Sequence, residues 1–235
     1  MTSPELKRPD IDYPESDGKP MGETDLHRKL MVDVVEAAEH YFRDQRDVYV
    51  TSDILVYYVE GDNTKFVVPD FFGVHGVEKK LRRTYRIWEE RKGPEVVVEI
   101  SSRSTCVEDK GNKKVIYEDL GVREYFLFDP EGNALRPPLM GYRLQAGAFR
   151  PVEPDRAPDG SLVMRSDVLG LELHGQGPNL RWVDPRTGLA IPTPQEAYGA
   201  LEAEKQRAEA EKQRADVAEA ELASLREELS RRRDA

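Results

Sequence analysis

Apolar residues recur along the chain in three rhythms. From Thr24 to about Gln45, Leu26, Leu30, Met31, Val34, Val35, Ala38, Tyr41 and Phe42 come at three- and four-residue steps, which predicts an amphipathic helix capped by Thr24 or Asp25. Two segments rich in β-branched and aromatic residues follow, TSDILVYYVE and TKFVVPDFFGV, and Gly-Asp-Asn between them predicts a β-hairpin. Residues 78–93 are charged and irregular. Glu95 to Ser101 reads as a short buried strand, 101–111 as a loop, 112–120 as a helix stopped at Gly121, and REYFLFDP as a strand ended by Pro130. The order helix, three strands, helix, strand predicts an α/β domain with one mixed sheet. Short strands between Gly and Pro from Arg136 to Leu173 add an antiparallel extension, and WVDPRTGLAIPTPQEA reads as a connector.

The third rhythm is a heptad. EAEKQRA occurs at 202–208 and again at 209–215, and Leu201, Ala208, Ala215, Leu222 and Leu229 fall seven apart, with Ala218 and Leu225 on the adjacent seam position. Glu204 and Glu211 occupy that position earlier, so the seam is weak until about Ala218. A long polar helix beginning near Pro194 is expected, either as a coiled coil pairing with a second copy or another partner, or as a solvated lone helix. The organisation is therefore an extended arm over 1–22, punctuated by Pro4, Pro9, Pro14 and Pro20, a domain over 23–193 and a heptad helix over 194–235.

Charge modifies this picture. The chain carries a formal charge of -10, of which residues from Glu196 onward contribute only -3, so most of the acidity belongs to the domain. A polyanionic partner would have to meet a local basic face. One is available in sequence: Lys79, Lys80, Arg82, Arg83, Arg86, Arg91 and Lys92 lie between Glu78 and Lys92 with Tyr85 and Trp88 interleaved, the composition that backbone contact and base stacking use. The same run also reads as a solvated loop whose aromatics cover the sheet. No run approaches the roughly 18 apolar residues of a membrane span, and the polar N-terminus lacks a signal-peptide core. Together with the single Cys106, read as a small space-filler, this predicts a soluble cytoplasmic protein.

Two carboxylates stand where stability alone would not place them. Asp70 follows Pro69 inside a strand, and Glu99 interrupts an apolar strand where an unpaired charge is costly. A hard divalent cation such as Mg²⁺ binds one or two carboxylates and polarises phosphoryl oxygens, so phosphodiester hydrolysis is the chemistry suggested, with Lys113 stabilising developing charge. A buried Glu–Lys ion pair beside a solvated lysine face (Lys110, Lys113, Lys114) is the bland alternative. Glu95 shares the face of Glu99 but lies about 13 Å away along the strand, too far to share an ion. His27 reads as structural or supporting, and Glu23 or Glu36 could add a carboxylate. Gly-rich phosphate loops, Gly-x-Ser-x-Gly and paired-cysteine motifs are absent, which leaves nucleotide-hydrolysing, serine-hydrolase and zinc chemistry without support.

VVPDFF, GPEVVVEISSRST and EDKGNKKVIYEDLGVREYFLFDP together resemble the Uma-two family of endonucleases in the restriction-endonuclease-like PD-(D/E)XK superfamily. The resemblance covers about residues 20–200. It implies a restriction-endonuclease-like αβββαβ core, Mg²⁺- or Mn²⁺-dependent cleavage of nucleic acid, expected to be DNA, and a homodimer formed either by the domain or through the C-terminal helix. Asp70 and Glu99 match the acidic pair, with the Ile100 backbone carbonyl as a third ligand. Ser101 stands where the superfamily's usual lysine would be, and the family's migrated lysine falls on Lys113, in a Lys-x-x-x-Tyr-x-x-x-Gly-Val pattern completed by Tyr117, Gly121 and Val122. Lys79, Lys80, Arg82, Arg83 and Arg86 are the expected nucleic-acid contacts. A non-catalytic nucleic-acid- or protein-binding module is the competing class.

Overall fold

Thr24 starts the first helix, its hydroxyl accepting the His27 amide at 3.2 Å. In the computed structural model, which describes residues 11–16, 18 and 24–233, this helix (α1, Asp25–Tyr41) buries Leu30, Val34, Val35, Ala37 and Ala38 on one face. The chain divides into two compact units, 1–191 and 192–235.

The first unit contains a six-stranded sheet ordered β1-β4-β6-β7-β8-β9. Its strands are β1 Val48–Thr51, β4 Phe71–His75, β6 Val96–Ile100, β7 Glu124–Phe128, β8 Leu139–Gln145 and β9 Ala148–Val152. Among the described residues of this sheet only β6 and β7 pair in parallel, as a crossover through an intervening helix requires. A three-stranded sheet holds β2 (Val56–Tyr57), β3 (Phe66–Val67) and β5 (Tyr85–Arg86). A five-stranded sheet runs in order from β10 (Asp155–Arg156) through β11 (Leu162–Ser166), β12 (Leu171–Gln176) and β13 (Asn179–Asp184) to β14 (Leu189–Ala190).

Alternation along the strands divides the core into two apolar clusters. Val96, Val98, Ile100, Phe126 and Phe128 face α1 and the five-stranded sheet. There the Trp182 indole donates to the Val34 carbonyl at 3.1 Å, and Gly175 leaves room for the Phe128 ring, which would lie 2.9 Å from an added Cβ. Crowding of that kind typically costs about 1–3 kcal/mol. Val97, Tyr125 and Leu127 face the other way, toward Tyr117 and the three-stranded sheet.

The structure corrects five expectations. The predicted hairpin splits at Pro69-Asp70: β3 pairs with β2 in the small sheet, whereas β4 joins the large one. Pro69 has no N–H to continue a ladder, and its carbonyl accepts the Asp53 amide instead. Residues 101–111 are not all loop, since helix begins at Cys106 and runs as α3 (Cys106–Glu108), a π-turn (Asp109–Lys113) and α4 (Lys114–Asp119). Within 78–93 lie β5 and the short helix α2 (Ile87–Glu90). The presumed connector after Trp182 completes β13 and turns into β14, while 155–190 forms a separate sheet rather than extending the first. Gly121, at φ 74°, stops α4 as expected.

Of the N-terminal arm, residues 11–16 lie along the small sheet: the Tyr57 hydroxyl donates to the Pro14 carbonyl at 2.7 Å, and the Tyr13 ring packs on Tyr57 and Trp88. Residues 1–10, Asp17 and 19–23 lie outside the described residues, Glu23 among them. In the second unit, helix α5 (Pro194–Arg233) exposes Leu201, Leu222, Leu225 and Leu229. No helix among the described residues is long and apolar enough to cross a membrane.

Candidate active site

Strand register brings the two carboxylates together. β4 runs antiparallel to β6 with Phe71 opposite Val98, so one further step places Asp70 opposite Glu99. Both lie on the face that carries Phe72 and Val97, the face covered by the π-turn and α4. The Asp70 carboxylate accepts the Ile100 amide at 2.7 Å, and the Asp70 amide reaches Glu99 Oε2 at 3.4 Å.

Two helices complete the cluster. From α4, Tyr117 donates its hydroxyl to Glu99 Oε1 at 2.6 Å, and Lys113, one residue earlier than α4, places Nζ 2.9 Å from Glu99 Oε2 and 3.3 Å from Asp109 Oδ1. From α1, His27 Nε2 lies 3.2 Å from Asp70 Oδ1. Exposure grades across the site: the Glu99 side chain is 1% exposed and that of Asp109 2%, against 13% for Asp70 and 19% for Lys113. Asp70 and Lys113 therefore face the opening, with Glu99 behind them.

The cluster sets three carboxyl groups against one ammonium. Burial pushes the Glu99 carboxyl up to about 8; the Lys113 charge opposes this, and the charges of Asp70 and Asp109 add to it. Burial also opposes ionisation of Asp70, but His27, Lys113 and the Ile100 amide together hold it below its usual range. Lys113 is raised: desolvation would lower it, and the three carboxylates outweigh that. It remains an ammonium at neutral pH, able to stabilise negative charge and unsuited to act as a base.

Among the described residues no group of three or more His, Cys, Asp or Glu is arranged to hold a metal ion. The donor set on hand is the carboxylate pair of Asp70 and Glu99. Such a set suits a hard cation that keeps several waters rather than a closed zinc site, and the buried excess of carboxyl groups is what a cation would relieve.

Of the other residues singled out, Glu36 lies on the exposed side of α1, about 13 Å along the helix from His27. Glu95 sits beyond the far end of β6, bonded to His75 and Lys92. Lys114 lies over the Tyr142 ring, 4.7 Å from its centroid. Asp109 was not singled out by sequence, although Asp109, Lys113 and Tyr117 fall at i, i+4 and i+8 and so share a helix face.

The basic run differs from its sequence reading. Arg82 is 3% exposed, forms a two-pronged pair with Glu90 and lies 4.2 Å over the Tyr49 ring, because a guanidinium taken out of water needs both a carboxylate and a polarisable face. Tyr85 is fully buried. Lys79 donates to the Phe42 carbonyl, Lys80 pairs with Glu78, Arg83 with Glu15 and Arg86 with Glu89. Arg82 is thus a structural residue, and the others are already engaged within the chain.

The sequence profile of the family Uma2, described as "Putative restriction endonuclease", matches residues 4–175. The chain belongs to the Uma2 family. This Uma2 chain is also similar in structure to a "putative nuclease" of the DUF820 group from Anabaena variabilis, with 16% identity over 64% of this chain and 76% of that one and a TM-score of 0.46. No curated protein matches it.

The Glu99 proton gives the Uma2 site a pH signature. The folded protein retains that proton up to about pH 8 whereas the unfolded chain releases it near 4.5, so the native state binds the extra proton between these values and stability falls as pH rises through the window. Glu99→Gln, which cannot ionise, is expected to flatten that fall. Denaturant unfolding of both proteins across about pH 5 to 9 measures it, and parallel curves would contradict the assignment.

Proposed function

We propose that the protein is a divalent-metal-dependent endonuclease that hydrolyses phosphodiester bonds in nucleic acid, with DNA as substrate and Mg²⁺ or Mn²⁺ as cofactor. The observation that carries the reading is the juxtaposition of Asp70 and Glu99 with a charged lysine, Lys113, at the mouth of the same cluster. Asp70, Glu99 and the Ile100 carbonyl would hold the ion. When bound, the ion would polarise a phosphoryl oxygen and lower the pKa of a coordinated water. Lys113 would orient the nucleophile and offset the charge that develops on the phosphoryl group. Tyr117 fixes the far oxygen of Glu99 at 2.6 Å, and His27 stands beside Asp70.

Lys79, Lys80, Arg83 and Arg86 are the proposed phosphate contacts, and each would exchange its present partner for a phosphate. Arg82 supports them, since it donates to the carbonyls of Glu78 and Lys80 and so shapes their segment. Binding through one face of an acidic, cytoplasmic protein would be weak and strongly salt-dependent.

Cleavage of supercoiled and linear DNA by wild type, Asp70→Asn and Glu99→Gln, with and without millimolar Mg²⁺ or Mn²⁺, tests this reading. Metal-dependent nicking that falls at least about 100-fold in both variants is expected. Nicking that survives both changes would overturn the site, and binding without cleavage would identify a non-catalytic module.

The exposed leucines of α5 favour a homodimer assembled through this helix. Light scattering is expected to give twice the chain mass for the full protein and a monomer mass after truncation at Ala200. A monomer in both cases would contradict this.

A further inference from the structure

We propose that Asp109, braced by Ser101 and Tyr125, is a positioning residue that fixes Lys113 at the mouth of the carboxylate cluster. The inference rests on the reading of the Asp70–Glu99 site given above, and it concerns how the lysine is aimed rather than what it does.

Lysine carries its charge on four rotatable bonds, so an ammonium partner on one side leaves it free to swing. Lys113 has partners on two sides: Glu99 Oε2 at 2.9 Å and Asp109 Oδ1 at 3.3 Å. The two differ in their other duties. Glu99 also receives Tyr117 and belongs to the proposed metal pair, whereas the side chain of Asp109 meets only Lys113 and Ser101 among the described contacts.

Asp109 is immobilised at three points. Its carboxylate accepts the Ser101 hydroxyl at 2.8 Å, its carbonyl accepts the Tyr125 hydroxyl at 2.9 Å, and its amide donates to the Thr105 carbonyl at 2.9 Å. A buried carboxylate with so few donors is costly unless it meets a cation, and Lys113 is the cation at hand.

The arrangement closes a ring. Glu99 and Ser101 are two residues apart on one strand path and share a face; Asp109 and Lys113 are four apart and open and close the π-turn. Ser101–Asp109 and Glu99–Lys113 tie strand to helix, and Lys113–Asp109 links the two ties. The wide turn is the local irregularity that brings both helix residues over the strand end, a recurrent use of π-turns at sites.

The test uses full-length wild type, Asp109→Asn, Ser101→Ala, Lys113→Met and the double variant Asp109→Asn/Lys113→Met. In protein labelled with ¹⁵N-lysine and free of metal, a part-buried, doubly paired Lys113 ammonium is expected to give a protected signal that disappears in Lys113→Met. That signal is expected to be lost in Asp109→Asn and weakened in Ser101→Ala, which leaves Asp109 in place and serves if the first variant fails to fold. In the Mg²⁺-dependent cleavage assay, Asp109→Asn is expected to lower kcat about ten- to 100-fold with KM for DNA nearly unchanged, and to cost nothing further once Lys113 is Met. An ammonium signal unchanged in both Asp109→Asn and Ser101→Ala, or kcat losses that multiply in the double variant, would overturn the proposal. Absence of cleavage by wild type would refute the nuclease reading alone, because the ammonium signal still decides whether Asp109 holds Lys113.

Discussion

The antiparallel register of β4 on β6 is the constraint on which the rest of the site depends. With Phe71 opposite Val98, Asp70 must fall opposite Glu99, and a slip of one residue would put the two carboxyls on opposite faces of the sheet, one of them toward α1 and its apolar cluster. Pro69 helps to set this register. It ends the pairing of the small sheet just before Asp70, so the aspartate emerges at the end of a strand, where α1, β6 and the π-turn converge.

The placement concentrates like charge where water is scarce, and the fold answers with a set of partners for each group. Tyr117 and Lys113 meet Glu99, His27 and the Ile100 amide meet Asp70, and Ser101 and Lys113 meet Asp109. Positive charge is still outnumbered. Burial above all, with the charges of Asp70 and Asp109 adding to it, raises the Glu99 carboxyl to about 8, and a cation bound there would favour its ionised form. The apolar packing that surrounds the cluster, with Tyr125, Leu127 and Val97 at essentially zero exposure, supplies the rigidity that holds these groups in place.

Much of this was legible in the chain. The three-four periodicity of α1, the apolar run at 96–100 and the stop at Gly121 follow from local chemistry, and Asp70 and Glu99 stood out because each contradicts its own surroundings. Lys113 was suggested by its place early on the helix that follows the Glu99 strand, and the family pattern fell on the same residue. The parts that escaped are those decided by tertiary contacts. Arg82 and Tyr85 read as an exposed basic, aromatic loop, yet Glu90 and the Tyr49 ring make burial of the guanidinium affordable, and nothing local to 78–92 reports Tyr49. Asp109 looked like one charge in a polar loop because the helix was expected to start six residues too late. The split of VVPDFFGV between two sheets depends on which strand meets which, and alternation alone cannot decide that.

The claim that the Asp70–Glu99 pair is a divalent-cation site is tested most directly by heat-unfolding wild type and Asp70→Asn in titrations of Mg²⁺ and Mn²⁺, with no nucleic acid present. The account predicts a saturable rise in the Tm of wild type with millimolar metal, as expected for an ion that binds only the native state, and little or none in Asp70→Asn. A rise of the same size in both proteins, or none in wild type with either metal, would contradict it.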